Sequence, residues 1–430
     1  MEQNTFIKIL KKEMIPALGC TDPAGVAYVA AYAKKYAKGR IQSIHAELSV
    51  NIIKNAAAVC IPRTGGKCGV GLAVALGVVG GNPDNGLKVL SGITQEDVIN
   101  AEELIDKGLV SIRVSQNSKK LYMCITVTTE ETKAAVTAED SYTGITSVVV
   151  NNETVYSKIN NEGYDTKDVI SYDVLSLKSI LEFADTVPIE ELGIIEDAIR
   201  LNMAVAEEGF ANDYGVSAGK SIKNYIETGK MSDDYANIAM MWTAAATDAR
   251  MAGCDIPVIS NTGSGNQGLA STIPVISIAR KMGVSYEKTV RAVTISSLVT
   301  IYIKEKLGML SAVCGAIIAG TGTSCGVVYL LGGDEDNMAA ALQSTLGNVA
   351  GMLCDGAKAG CSLKVATCTN TGVMAALFAM DNNGIKGTDG IVGNGEKETI
   401  DNFIKVATDG MHKMDNVILD IILKKEDINV

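Results

Sequence analysis

The order of apolar and polar positions predicts a chain that begins with mixed structure and continues as helices. Runs of β-branched and apolar residues predict strands at 41–53 and 56–61. Five further strand patterns occur within 109–158, and the last two are joined by Asn151-Asn152, which is typical of a hairpin turn. Most of the remaining chain has the helical period, interrupted by glycine-rich loops.

These patterns predict an α+β fold with segregated elements rather than a doubly wound sheet. Residues 1–40 form an N-terminal helical region that we expect to pack on the C-terminal domain. Residues 41–171 form a smaller α/β domain with a mainly antiparallel or mixed sheet. Residues 172–430 form a large, all-helical, glycine-rich domain.

Composition and charge exclude several classes of protein. The 430 residues include 38 basic and 49 acidic side chains, a net charge of −11, which argues against a nucleic-acid partner. No basic and apolar signal peptide is visible at the N-terminus, and ten cysteines without secretion predict a reducing cytoplasm.

One uncharged segment, 307–333, is long enough to cross a bilayer. Its glycines, serines and threonines favour buried helices instead, and we expect a break at 320–322. The sequence therefore predicts no membrane partner.

Three cysteines in the glycine-rich half are the strongest candidates for chemistry: Cys314, Cys354 and Cys361. Three thiolates can hold a 4Fe-4S cluster by three irons and leave the fourth iron open as a Lewis acid. Gly356 and Gly360 allow a tight loop that brings the last two sulfurs to one side. The alternative is that these cysteines are buried apolar residues.

The segment 260–268 combines three glycines with small hydroxyl and amide side chains and then opens an apolar helix pattern. Backbone N–H groups and a helix N-terminus bind anions, so a carboxylate or phosphate fits this loop. An ordinary polar connection is the alternative. The candidate substrate-binding residues here are Ser260, Asn261, Gly263, Ser264, Gly265 and Asn266.

Two further motifs carry candidate residues. Cys20 precedes a predicted helix start, where a thiol can have a depressed pKa and act as a proton acceptor, a nucleophile or a ligand. Asn51, Lys54 and Asn55 lie at the predicted end of a strand, where Lys54 and Asn55 can turn into a cleft. A structural thiol and a solvated lysine are the alternatives.

Together, the segments 16–23, 51–55 and 260–268 and the cysteine trio resemble the L-cysteine desulfidase family, which is related to the iron–sulfur L-serine dehydratases. Segments 248–251 and 311–314 also resemble this family. The resemblance covers nearly the whole chain.

The resemblance implies a lyase that degrades L-cysteine to pyruvate, ammonia and hydrogen sulfide by α,β-elimination at the open iron of one 4Fe-4S cluster per subunit. It implies that Cys314, Cys354 and Cys361 are the cluster ligands and that Cys20 is the catalytic base. It also implies that the loop 260–268 binds the substrate carboxylate. The tail 424–430 contains no cysteine that can occupy the open iron.

Three other functions stay open. A 4Fe-4S L-serine dehydratase has a site that is hard to distinguish in sequence, and a non-catalytic iron–sulfur sensor of cysteine or sulfide needs the same ligands. A pyridoxal-phosphate lyase is the third, although no pyridoxal phosphate is expected. We expect a cytoplasmic protein with the small molecule L-cysteine as its substrate, and a homo-oligomer is possible.

Overall fold

The computed structural model describes residues 2–158 and 170–425. Its first part alternates helices with strands, as the apolar patterns predict. The elements are α1 Glu2–Glu13, β1 Pro16–Ala17, α2 Thr21–Tyr36, β2 Ile41–Leu48, α3 Val50–Ala56, α4 Val70–Gly80, α5 Gln95–Asp106, β3 Val110–Val114, β4 Tyr122–Thr129, β5 Lys133–Glu139, β6 Ile145–Val150 and β7 Glu153–Ser157.

Six of these strands form one mixed sheet in the order β3-β2-β4-β5-β6-β7. Strands β2 and β3 are parallel, and every other neighbouring pair is antiparallel. Along β4, residues alternate between partly exposed and buried, because one face of the sheet is covered by helices. The turn at Asn151 and Asn152 has positive φ at both residues, as a two-residue hairpin turn requires.

The second part is helical apart from one short strand, β8, which pairs with β1. Its elements are α6 Leu177–Thr186, α7 Gly193–Ala211, α8 Ala218–Glu227, α9 Tyr235–Met251, β8 Val258–Ile259, α10 Gly265–Met282, α11 Tyr286–Leu307, α12 Gly315–Leu331, α13 Glu335–Val349, α14 Cys361–Met380, α15 Glu396–Lys405 and α16 Met414–Leu423. The α+β fold class predicted from the sequence is confirmed.

Two large hydrophobic cores organise the molecule, one in the helical part and one between the sheet and helices α2, α4 and α5. The N-terminal region contributes to both. Phe6, Ile9 and Leu10 of α1 belong to the helical core, whereas Val26 and Val29 of α2 belong to the sheet core. The division into domains at residues 40 and 171 stays a prediction.

The two strands predicted at 41–53 and 56–61 are not observed as predicted. Strand β2 ends at Leu48, and the residues after it form the short helix α3 instead of continuing the strand. Ile52 and Ile53 are fully buried there, so tertiary packing overrides their β-propensity. The predicted strand at 56–61 is reduced to a single bridge between Cys60 and Cys68.

The predicted break at 320–322 is also absent, because α12 runs unbroken through it. A side chain at Gly320 would come within 2.5 Å of the Cys368 carbonyl oxygen, and one at Gly322 within 2.3 Å of the Ser296 carbonyl oxygen. These glycines therefore allow close helix packing. Among the described residues, only α14 is long and apolar enough to cross a membrane by length and composition, and half of its apolar window is buried in the protein.

Candidate functional site

Four helix N-termini meet at one cavity of about 110 Å³ between the two cores. Cys20 is the N-cap of α2, Ser264 that of α10 and Cys314 that of α12, and Cys361 is the first residue of α14. All four residues line the cavity. Because helix N-termini carry partial positive charge, this arrangement contributes favourable electrostatic energy to a small anion in the cavity.

Cys314 and Cys354 are held beside each other by a short antiparallel bridge between Val313 and Leu353. The Cys314 N–H donates to the Met352 carbonyl at 2.9 Å, and the Cys354 N–H donates to the carbonyl of residue 312 at 2.8 Å. Backbone hydrogen bonds therefore fix both cysteines on one side of the cavity.

The chain from Cys354 to Cys361 is a loop, as the intervening glycines predict. Gly356 has φ +92°, and a side chain there would come within 2.3 Å of the Lys54 carbonyl oxygen, so only glycine is compatible with this approach. Lys364 closes the loop by donating to the Leu353 carbonyl at 2.7 Å and to Asp355.

Burial disfavours the thiolate form of Cys314 and Cys361. Burial, together with the nearby charges of Cys354 and Cys361, raises the pKa of Cys314 to about 12. Burial also raises the pKa of Cys361. Bound cations are needed to hold such thiols as thiolates, and iron supplies this compensation, so the donor set fits a 4Fe-4S group.

Within residues 2–158 and 170–425, no three His, Cys, Asp or Glu side chains are grouped closely enough for a single metal ion. A four-iron cluster has a different requirement, because each thiolate binds its own iron. The tail 426–430 lies outside the described residues.

Cys20 lies in a buried polar network. Its Sγ is 3.7 Å from Oδ2 of Asp22, and Oδ1 of Asp22 accepts hydrogen bonds from Asn55 Nδ2 at 3.1 Å and Tyr142 Oη at 3.0 Å. Burial, and then the charge of Asp22, raise the pKa of Cys20 to about 12. The depressed pKa expected at a helix N-terminus is therefore wrong, because desolvation outweighs the helix dipole.

The glycine-rich loop contributes only part of its predicted set to the cavity. Gly263, Ser264 and Asn266 line it, and the Ser264 hydroxyl caps α10 by accepting from the Gln267 N–H at 3.3 Å.

The side chains of two other residues of the loop form hydrogen bonds to backbone carbonyls elsewhere in the protein. The Ser260 hydroxyl donates to the Ile15 carbonyl at 2.8 Å, and Asn261 Nδ2 donates to the Ser297 carbonyl at 3.1 Å. The backbone of Gly265 lies against Arg250, and a side chain at residue 265 would overlap the guanidinium.

Only one of the three predicted binding residues in the segment after β2 lines the cavity. Asn55 lines the cavity, whereas Asn51 and Lys54 are buried and are not among the lining residues. Lys54 Nζ donates to the Cys354 carbonyl at 2.9 Å and to Asp415 Oδ1 at 2.7 Å. Lys54 is therefore a support of the loop that carries Cys354 and does not line the cavity itself.

Sequence reasoning assigned no role to several charged or ionisable lining residues, namely Asp22, Tyr142, Arg250 and Lys304. Lys304 lies in a helical period that carries no motif, and burial lowers its pKa to about 8. Arg250 belongs to the segment 248–251, whose resemblance to a known family was the available signal. Two buried cations, Arg250 and Lys304, are thus available to an anionic group in this cavity.

Comparison with known proteins identifies the family. A model described as serine dehydratase alpha chain matches residues 84–420. The chain is 39% identical to a UPF0597 protein of Oleidesulfovibrio alaskensis over 425 residues, 99% of each chain. It is 38% identical to a UPF0597 protein of Clostridium perfringens over 427 residues, again 99% of each. A UPF0597 protein of Bacteroides fragilis is 38% identical over 425 residues and 99% of each chain.

The chain therefore belongs to the serine dehydratase alpha chain family, whose members are iron–sulfur lyases. The resemblance to a family related to the iron–sulfur serine dehydratases is confirmed. Membership implies a small-molecule substrate rather than a nucleic acid. The cysteine substrate, the ligand residues, the cytoplasmic location and the homo-oligomer stay predictions.

Proposed function

We propose that this protein is an iron–sulfur L-cysteine desulfidase that converts L-cysteine and water to pyruvate, ammonia and hydrogen sulfide. The observation that supports this proposal is the meeting of Cys314, Cys354 and Cys361 with Cys20 at one cavity surrounded by helix N-termini. The family supplies the class of reaction, and the preference of cluster iron for sulfur ligands supports a sulfur-containing substrate.

Cys314, Cys354 and Cys361 would hold the 4Fe-4S cluster. When bound, the cluster supplies a Lewis-acidic iron that prefers sulfur to oxygen ligands. The N-terminus of α10, with Ser264 and Asn266, binds the substrate carboxylate, and the buried walls exclude water from the reacting atoms.

Cys20 is the proposed proton acceptor for the substrate α-proton. Because its pKa is raised to about 12, its own thiol proton must leave before it accepts another. Asp22 Oδ2, at 3.7 Å from Sγ, is the nearby acceptor, and Asn55 and Tyr142 hold that carboxylate in place. Loss of the α-proton and of sulfide leaves an enamine, which hydrolyses to pyruvate and ammonia.

The cluster assignment is tested by anaerobic purification, iron and sulfide analysis and a cysteine-dependent pyruvate assay on the same sample. Serine at Cys314, Cys354 or Cys361 should remove most of the iron and nearly all activity. Serine at Cys68, which is exposed, is the matched control and should change neither. A triple serine variant that keeps its iron would contradict the ligand assignment.

The role of Cys20 is tested separately by Cys20→Ala. This variant should keep its iron but lose turnover and the exchange of the substrate α-proton with solvent. Loss of iron would instead make Cys20 a ligand, and full activity would make it a structural thiol.

L-serine dehydratase is the second candidate, because the matching family model carries that description. We expect turnover efficiency to be higher with L-cysteine, since a thiolate forms near neutral pH more readily than an alkoxide. Parallel assays with both amino acids decide, and faster turnover of L-serine would favour the dehydratase. Cluster-loaded protein that converts neither would favour the sensor.

A further inference from the structure

Arg250 is a buried cation without an anionic partner in the described part of the chain. Its side chain extends from the end of α9, and only 3% of the residue is exposed. Nη1 donates to Asn266 Oδ1 at 2.8 Å, and Nε has no hydrogen-bond partner. Burying a charge is costly unless it is paired and hydrogen-bonded, so this guanidinium is suited to an anion that enters the cavity.

The guanidinium lies against the N-terminus of α10, and the local sequence makes room for it. A side chain at Gly265 would come within 2.3 Å of Arg250 Nε and 2.5 Å of Nη2. Gly265 and Asn266 are the first residues of an 18-residue helix, so their N–H groups have no acceptor within the helix. Two independent features, a helix N-terminus and a buried guanidinium, thus converge on one wall of the cavity.

Lys304 is the second buried cation of the cavity, whose lining also contains Cys20, Cys314, Cys354 and Cys361. One cavity therefore offers cations for a carboxylate, a candidate proton acceptor for an α-carbon and the proposed cluster ligands for a β-substituent.

We propose that Arg250 is the anion anchor of this site and that it binds the α-carboxylate of the substrate together with the N-terminus of α10. This assignment rests on the proposed function and adds a residue that selects thiols with a carboxylate over thiols without one. The planar guanidinium matches the geometry of a carboxylate, which an ammonium does not.

The test uses the cluster-loaded protein under anaerobic conditions and compares L-cysteine with cysteamine, which lacks the carboxylate. Affinity is measured by the change in the visible spectrum of the cluster, and iron per chain is measured on the same samples. Arg250→Met should weaken L-cysteine binding about 100-fold, because a buried charge-assisted contact is lost. Its affinity for cysteamine should change less than about threefold, and iron per chain should stay unchanged.

Two further variants keep the proposal testable if Arg250→Met folds poorly. Arg250→Lys should lose about 10-fold in L-cysteine affinity, because it keeps the charge but loses the planar fork. Gly265→Ala keeps the arginine but displaces it, and should reproduce the selective loss.

Equal losses for both ligands would overturn the proposal, as would an Arg250→Met variant with wild-type affinity for L-cysteine. A change confined to the pH profile of turnover would also overturn it, because Arg250 would then act only on Cys20.

The experiments distinguish an incorrect role for Arg250 from an incorrect proposed function. If the wild-type protein does not turn over L-cysteine, 3-mercaptopropionate still serves as a carboxylate probe. A rise in melting temperature with this probe in the wild type, absent in Arg250→Met, supports the anchor alone. Normal turnover of L-cysteine by Arg250→Met overturns the anchor and leaves the desulfidase proposal standing.

Discussion

Lys54 offers a sharp test of the site, because the structure gives it a supporting position where the sequence predicted substrate binding. Its side chain is 0% exposed, and its partner Asp415 is 13% exposed. Replacing Lys54 with Met keeps most of the volume but removes the donor to Asp415 and to the Cys354 carbonyl. One carboxylate and one carbonyl then lose their partner in a mostly buried environment.

Breaking a buried ion pair by removing one partner costs about 3–5 kcal/mol. A chain of 430 residues has an unfolding entropy of about 0.9 kcal/mol/K, from about 2.1 cal/mol/K per residue. Lys54→Met should therefore lower the melting temperature of the cluster-free protein by about 3–6 °C. Iron per chain should fall as well, because the Cys354 loop loses its support.

The measurement is a melting scan of cluster-free protein beside an iron assay of reconstituted protein. Lys107→Met is the matched control, since the Lys107–Glu103 pair is 60% and 56% exposed, and solvent screening leaves such a pair little effect on the melting temperature. The double variant Lys54→Met/Asp415→Leu should regain part of the loss, because no unpaired charge remains. A Lys54→Met variant with wild-type melting and iron but weaker L-cysteine binding would refute this reasoning and restore the substrate-binding role.

Three other substitutions test separate parts of the structure. Asp22→Asn should raise the free energy of unfolding of cluster-free protein at pH 7, because burial raises the pKa of the Asp22 carboxyl and its charged form therefore disfavours folding. This gain in stability should shrink as the pH falls towards 3.8. A difference in urea unfolding that does not depend on pH would contradict this. Gly356→Ala should lower the free energy of unfolding by about 1–3 kcal/mol and lower the iron per chain, because the new side chain would meet backbone atoms at a positive φ. Gly360→Ala introduces no such contact and is the control. Phe6→Ala removes a ring whose centroid lies 4.6 Å from that of Phe183 in α6, and it should lower the free energy of unfolding in denaturant by about 3–5 kcal/mol. A decrease of less than about 1 kcal/mol would mean that α1 is not needed for the core.

The sequence predicts best those elements whose structure depends on residues close together in the chain. Strands β4 to β7 are joined by short turns, and each pairs with the next strand in the chain, so their pairing is local. The sequence also predicts a helix after the glycine-rich segment 260–268, although α10 begins at Gly265, within that segment.

The errors arose where long-range packing decides. Helix α3 forms because Ile52 and Ile53 are buried, which their β-branched side chains do not reveal. Lys54 pairs with a residue near the other end of the chain. The pKa of Cys20 follows from burial, and no local motif reports burial.

The candidate site shows the same division. Three cysteines can be selected from sequence by their residue type and glycine-rich surroundings, and the structure places all three at one cavity. Their role as cluster ligands stays a prediction. Lys304 had no such signal, because a cation within a helical period looks like a surface residue until its burial is known. Arg250 had only the family resemblance of segment 248–251.

The contact between Lys54 and Asp415 also bears on how the protein is made. Cys314, Cys354 and Cys361 are all synthesised before α16, the helix that carries Asp415. A growing chain therefore has every proposed iron ligand before it has the last support of the Cys354 loop. We expect stable cluster insertion to follow completion of the polypeptide, so that chains interrupted before residue 415 remain without iron.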